Sequence, residues 1–331
     1  MSHLLQPIQI GSMTLANRLV MPPLASGKAE DGKVGPALLD YYHEITAGGY
    51  LGLAVVEHSY ILAEGKASPN QMSIADDRMV GPLMKLAALI HGNGSKCVLQ
   101  INHAGSMAAA KIIGRTPAAP SAIGNPRNPA EGTPRELTRE EIADIVVGFH
   151  QAARRVREAG FDGVEIHAAH GYLLNQFYSP LTNRRQDEYG GDLYRRIRLL
   201  LQVIEAVRAA VGRNFPILLR LGASDCRDDG TTLADSCRAC GEFERAGVDA
   251  LDISGGFCGF DVPGLTGQGY FAPWTEAIKK TVAIPVILTG GVSAARAAEE
   301  LLAAGQADLI GVGRALLRDS GWARKAVESL G

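Results

Sequence analysis

Eight short apolar runs separated by helical stretches, a length that holds them in one unit, and two long insertions that both follow strands predict an α/β protein. The class is the (β/α)8 TIM barrel, one domain over residues 1–331 with long loops after strands 3 and 4. The runs, rich in Val, Ile and Leu, are Arg18 to Met21, Leu53 to Val56, Cys97 to Ile101 and Gly163 to Ile166. They continue with Ile217 to Leu221, Ala250 to Ile253, Val286 to Leu288 and Leu309 to Val312. Continuous apolar character, rather than alternation, marks strands whose two faces are both buried, as in a parallel sheet covered by helices. Such a barrel usually takes about 250 residues, so roughly 80 remain for insertions and ends.

The helices between the strands carry their own start and stop signals. Pro36 suits the first turn of a helix that ends near Gly48 and Gly49. Thr138-Arg139-Glu140-Glu141 is a capping box ahead of a helix that runs to about Ala159. Ser293 is expected to cap SAARAAEELLAA, which stops at Gly305. The insertions are His103 to Glu136, rich in Ala, Pro and Gly, and His170 to Gly191. Loops after strands form the C-terminal face of a barrel, where barrel enzymes keep their sites. The competing fold, a doubly wound open sheet, needs G-x-G-x-x-G after the first strand, and NRLVMPPLASG is found there instead. No Pro, Gly or Ser-rich linker divides the chain.

Composition narrows the function classes. A hydrophobic content of 46% fills a substantial core, and 33 basic against 35 acidic residues give a net charge of -2. Neither nucleic acid nor an anionic membrane is then expected as a partner; a small neutral or locally anionic ligand is. The five cysteines, Cys97, Cys226, Cys237, Cys240 and Cys258, are odd in number and scattered, which points to a reducing, cytoplasmic setting. Cys237 and Cys240 form a C-x-x-C, but within the helical LADSCRACGEFERAG and without a second pair of metal ligands, so they read as structural thiols. The N-terminus lacks a basic segment followed by an apolar run, and no stretch reaches the ~20 apolar residues of a membrane span.

Three groups of residues on the predicted C-terminal face carry chemistry. ILTGGVSAARAAEEL and LIGVGRALLRDSGW end the seventh and eighth strands. Their glycines let backbone N–H groups approach an anion at a helix start, and Arg314 adds a charge able to bind it bidentately. Gly290, Gly291, Gly313 and Arg314 are therefore phosphate candidates, although such glycines also serve tight turns. Arg220 and Gln100 are polar residues in otherwise apolar strands. A central charge needs a partner, either a phosphate-bearing cofactor or an internal ion pair with Glu57 or Glu165. The third group is VEIHAAHGY, with His167, His170 and Tyr172 where a strand stops. The two imidazoles could ligate a metal with help from His58, His103 or Glu165, could act in acid/base chemistry, or could bond only to loop backbone.

Taken together and in order, NRLVMPPLA, GLAVVEHS, VLQINHAG, FDGVEIHAAHGYLLNQFYSPLTNRRQDEYGG, LLRLGASD, TGGV and GVGRALLRD resemble the Old Yellow Enzyme family of FMN-dependent oxidoreductases. The resemblance covers nearly the whole chain. It implies FMN at the barrel mouth, with its phosphate held by Gly290, Gly291, Gly313 and Arg314. It further implies backbone of Pro22, Pro23, Leu24 and Ala25 along the flavin, Gln100 at the pyrimidine edge, Arg220 by the ring and ribityl chain, and His167 touching flavin and substrate. NADPH or NADH would reduce the flavin, and an α,β-unsaturated carbonyl or nitro compound would be the second substrate. His167 and His170 would hold its oxygen and Tyr172 would protonate its α-carbon. The tail from Asn183 to Gly191 looks like a structural turn of the family.

Two positions depart from the family pattern. Ala25 stands where many relatives have Cys or Thr beside the flavin, and Ser106 where many have Arg, which removes a basic contact expected from that loop. Larger relatives add an iron-sulfur cluster and further domains after the barrel; with the sequence ending at Gly331, a single-domain, FMN-only enzyme is expected. Room remains for a homo-oligomer. A metal-dependent hydrolase or lyase built on His167 and His170, and a non-catalytic flavin or phosphate-binding barrel, are the alternatives.

Overall fold

All eight expected strands are present and close into one parallel barrel. In chain order, a hairpin of β1 (Ile8–Ile10) and β2 (Met13–Leu15) precedes β3 (Leu19–Met21), β4 (Leu53–Tyr60) and β5 (Lys96–Asn102). After the short pair β6 (Ala118–Ala119) and β7 (Arg135–Glu136) come β8 (Gly163–Ala168), β9 (Ile217–Gly222), β10 (Ala250–Ser254), β11 (Val286–Thr289) and β12 (Leu309–Gly311). The barrel runs β3, β4, β5, β8, β9, β10, β11, β12 and returns to β3. This computed structural model describes residues 2–260, 262 and 264–331.

The barrel interior changes character along its axis, because successive strand residues face opposite sides. At its N-terminal end Val20, Val55, Val98, Leu218, Ala250, Ile287 and Leu309 pack with Ile10, Met13 and Leu15 of the hairpin, which plugs that end. Two residues further along the strands the inward positions become polar: Glu57, Gln100, Arg220, Asp252 and Thr289. The outward faces stay apolar against the helices, in one large cluster. Apolar runs and a polar barrel centre thus coexist in the same short strands.

Helix starts follow the sequence at one end and depart from it at another. The Thr138 box forms as expected: Glu141 N donates to Thr138 Oγ1 at 3.2 Å and Thr138 N to the Glu141 carboxylate at 2.9 Å, ahead of the Arg139–Glu158 helix. Ser293 does not cap its helix. That helix spans Ala295–Ala303 with Ala294 as the N-cap residue. Gln268, from another loop, accepts from the N–H groups of Ser293 and Ala294 at 2.7 and 3.2 Å, so a distant amide replaces the local hydroxyl.

The expected structural turn ties the two insertions together. The buried Arg185 pairs with Asp187 at 2.7 Å and donates to the carbonyls of Pro120 and Leu137 at 2.9 and 2.7 Å. Asn183 Nδ2 donates to Phe177 O and Tyr189 O, each at 2.7 Å. The cysteines are all free, with Cys240 of the C-x-x-C buried and Cys237 half-buried. No helix among the described residues is long and apolar enough to cross a membrane.

Candidate active site

A cavity of about 710 Å³ opens at the C-terminal mouth of the barrel, and every residue expected from sequence to bind cofactor or substrate lines it, whereas Glu57, Glu165, His103 and Ser106 do not. Pro22, Pro23, Leu24 and Ala25 enter directly after β3, Gln100 from β5, His167 from β8 and Arg220 from β9. His170 and Tyr172 come from the loop after β8, Gly290 and Gly291 from the end of β11, Gly313 and Arg314 from the end of β12.

The floor is a chain of buried polar groups. Gln100 Nε2 donates to Glu165 Oε1 at 2.7 Å, and the Arg220 guanidinium is ion-paired with Asp252, which also accepts from Thr289 Oγ1 at 2.9 Å. The internal partner of Arg220 is therefore Asp252 on the neighbouring strand, not Glu57 or Glu165. Glu57 instead accepts from the backbone N–H and the hydroxyl of Ser26, at 3.0 and 2.5 Å, and thereby anchors the segment after Ala25. Burial, reinforced by the Asp252 charge, pushes the Glu165 carboxyl above its ordinary range, and burial likewise raises Asp252 against the pull of Arg220. Arg220 Nε, Glu165 Oε2 and His167 Nδ1 are buried with no hydrogen-bond partner among the described residues. Arg220 and His167 line the cavity, and orphans in such a wall are what a bound polar ligand would satisfy.

Above the floor the VEIHAAHGY motif packs its rings together. Ring centroids of His167 and His170 lie 5.1 Å apart and those of His167 and Tyr172 4.8 Å apart. β8 ends sharply because His170 (φ 59°) and Gly171 (φ 75°) are consecutive left-handed residues. For a non-glycine residue that conformation costs about 1–2 kcal/mol, and the surroundings hold it in place. His170 N donates to Gly255 O at 3.2 Å, and its Nε2 lies 2.7 Å from Ser254 Oγ. Gly171 N donates to Asn175 Oδ1 at 2.7 Å, while its carbonyl accepts from Gln176 and Asn125 at 2.7 and 3.1 Å.

Burial leads the electrostatics of this cluster. It holds His167 and His170 well below the ordinary histidine range, helped by the Arg220 charge, so both are neutral imidazoles at neutral pH. It raises the Tyr172 phenol, against a weaker opposing pull from Arg127. Neutral N–H donors and a protonated phenol therefore face one space. Among the described residues no third ligand joins His167 and His170 as a metal set. Glu165 Oε1 is taken by Gln100, and His103 Nδ1 accepts from Gly105 N at 3.0 Å. Three potential ligand atoms do gather at His91, Cys97 and Asp162; Cys97 is buried, while His91 and Asp162 line a separate pocket with Thr14, Gly52 and Lys96 that shares no residue with the mouth.

At the other side of the cavity the glycines have two uses. A Cβ on Gly291 (φ 73°) would come 2.4 Å from Gly267 O, and one on Gly290 2.8 Å from the Phe271 ring, so close packing of the loop after β10 requires both. The same lack of side chains leaves their backbone open to the cavity. Arg314 opens the Arg314–Arg318 helix behind Gly313, and its Nη2 lies 3.3 Å from the Tyr270 hydroxyl.

Several residues of the wall, or in contact with it, escaped the sequence reading. His58, considered only as a metal ligand, has its ring 5.5 Å from Tyr172, and burial pushes its pKa down to about 4. Ser254 and Asp252 were visible as polar positions two residues apart on β10, the same signal that marks Gln100 and Arg220. Arg127 and the loop bearing Phe260 and Tyr270 had no such signal, because they reach the cavity from distant parts of the chain.

The sequence profile described as the NADH:flavin oxidoreductase / NADH oxidase family matches residues 3–331. The chain is 40% identical over 327 residues to an NADH oxidase of Thermoanaerobacter brockii, covering 97% of this chain and 50% of that protein. It thus spans about half the length of that relative. It is 38% identical over 338 residues to an NADPH dehydrogenase of Geobacillus sp. strain WCH70, covering 99% of this chain and 94% of that one. Among solved structures, an Old Yellow Enzyme homologue from Zymomonas mobilis superposes with a TM-score of 0.85 at 28% identity, covering 99% and 93% of the two chains.

Proposed function

The chain belongs to the NADH:flavin oxidoreductase / NADH oxidase family, the Old Yellow Enzyme family that its motifs resemble. From that premise we propose that it is an FMN-dependent NAD(P)H oxidoreductase that reduces activated C=C bonds of α,β-unsaturated carbonyl or nitro compounds. The observation that carries this reading is the joining, in one cavity, of a glycine and arginine cradle with a cluster of two neutral imidazoles and a phenol.

The residues fit the cofactor. Gly290, Gly291, Gly313 and Arg314 would hold the phosphate, Pro22 to Ala25 would follow the ring edge, and the buried orphans on Arg220 and His167 would gain polar partners. When bound, FMN supplies two-electron chemistry, linking oxidation of the nicotinamide to hydride delivery at the β-carbon of the alkene.

The protein's part is positioning, charge stabilisation and one proton. His167 and His170 donate to the carbonyl or nitro oxygen, on which negative charge grows as hydride arrives. Burial keeps these imidazoles neutral, so they donate hydrogen bonds without adding cationic charge to the site. Tyr172 gives its phenolic proton to the α-carbon; a raised pKa keeps that proton in place until it is needed. Residues 1–331 act as one FMN-binding domain, and the five free cysteines accord with a cytoplasmic location.

Purification tests the reading. The protein should be yellow and release FMN, NADPH or NADH should bleach it, and cyclohexenone should restore the colour. A colourless protein with stoichiometric zinc would instead support a metal-dependent hydrolase or lyase, and a yellow protein that nicotinamide cannot bleach would be a flavin-binding barrel.

A further inference from the structure

We propose that Arg127 recognises a carboxylate on the substrate, so that the compounds reduced are α,β-unsaturated carbonyl compounds that are also organic acids. This inference rests on the reductase reading above and names its substrate class.

Arg127 occupies a built position. Its side chain passes over Gly171, between His170 and Tyr172, with Cδ 3.0 Å from where a Cβ on Gly171 would sit. A Cβ on Gly259 would lie 1.8 Å from Nη1, so the guanidinium takes space that only glycine leaves open. Both glycines have positive φ, 75° and 71°. The backbone is pinned as well: Arg127 N donates to Asn125 Oδ1 at 2.9 Å, and Asn125 Nδ2 donates to Ser106 Oγ at 3.0 Å and to Gly171 O at 3.1 Å. Ser106 thus supports the loop that delivers Arg127.

Among the described residues the charge has no counterion: the Arg127 side chain makes one long bond to them, Nη1 to Phe257 O at 3.4 Å, and its buried Nε has no partner. Among the described residues no aspartate or glutamate lines the cavity, whereas Arg127, Arg220, Arg314 and Arg318 do. Arg220 is neutralised by Asp252, and Arg314 and Arg318 belong to the helix at the phosphate cradle. Among the described residues Arg127 alone places an uncompensated charge beside the donor cluster, and that charge acts on both His170 and Tyr172. A half-buried guanidinium with free donors is matched best by a carboxylate, which accepts two parallel N–H bonds.

The test compares a 4-oxo-2-enoic acid with its methyl ester, using the FMN-loaded enzyme. Wild type should favour the acid in kcat/KM, and Arg127→Gln should lower the acid-to-ester ratio about 10- to 100-fold, through KM for the acid. Arg127→Lys should restore part of the ratio. Calorimetric affinity for the saturated acid, 4-oxopentanoate, should weaken by a similar factor in Arg127→Gln. An unchanged ratio, or equal losses on acid and ester, overturns the assignment. If wild type reduces neither compound, ene reduction itself fails, and the 4-oxopentanoate affinities alone decide whether Arg127 binds carboxylate.

Discussion

His170 Nε2 and Ser254 Oγ lie 2.7 Å apart, joining the loop after β8 to the last residue of β10. One ring nitrogen being committed to Ser254, Nδ1 is what His170 can offer a substrate. Donation to an oxyanion requires the proton on Nδ1, so Nε2 accepts the Ser254 hydroxyl proton. His170→Ala should slow the oxidative half-reaction ~100- to 1000-fold, the usual cost of one oxyanion donor. Ser254→Ala should slow it about 5- to 10-fold in wild type and have no further effect in the His170→Ala background. Stopped-flow reoxidation by an enone measures both, and additive losses would show that Ser254 acts elsewhere.

The proton-donor role proposed for Tyr172 can be tested apart from flavin reduction. Tyr172→Phe should slow alkene reduction ~100-fold or more, the scale of general acid catalysis, while reduction by NAD(P)H stays within a few-fold. Equal losses in both half-reactions would make the tyrosine structural.

The oxidative half-reaction should be flat with pH across the neutral range. His167 and His170 are depressed below the ordinary histidine value of 6.5, so their neutral, donating forms are retained as pH falls through 6.5 and are lost only further down. Tyr172 is raised above 10.0, so its proton is retained up to at least that pH. A rate that halves near pH 6.5 would contradict the neutral-imidazole assignment.

Arg220 should support the fold independently of the cofactor contact proposed for it. Arg220→Ala leaves Asp252, which is 0% exposed, without its guanidinium. Removing one partner of a buried pair typically costs about 3–5 kcal/mol. Urea unfolding of the apoprotein should show that loss, and adding Asp252→Asn should recover part of it.

A redox effect of Ala25 on the flavin is the next expected outcome. It lines the cavity next to Ser26, whose backbone and hydroxyl are held by Glu57, so its position is fixed while its methyl cannot hydrogen-bond. Ala25→Cys should shift the flavin midpoint potential and speed reduction by NAD(P)H. An unshifted potential would count against a tuning role.

What the sequence determined by itself was local and periodic. Apolar runs gave eight strands, and polar interruptions such as Gln100, Arg220 and VEIHAAHGY marked the end of the barrel that faces solvent. Both signals survive because strand alternation and helix capping act within a few residues. Even so, the Ser293 cap gave way to Gln268, since a partner 25 residues away in the chain can offer better geometry than the local hydroxyl. Only the tertiary structure decided who pairs with whom. Asp252 lies 32 positions from Arg220 but on the adjacent strand; Ser254 is 84 positions from His170. Arg127 reaches Phe257 across 130 positions, through space left by two glycines in separate loops. Barrel closure creates these contacts, and no short window of sequence records which loops it will bring face to face.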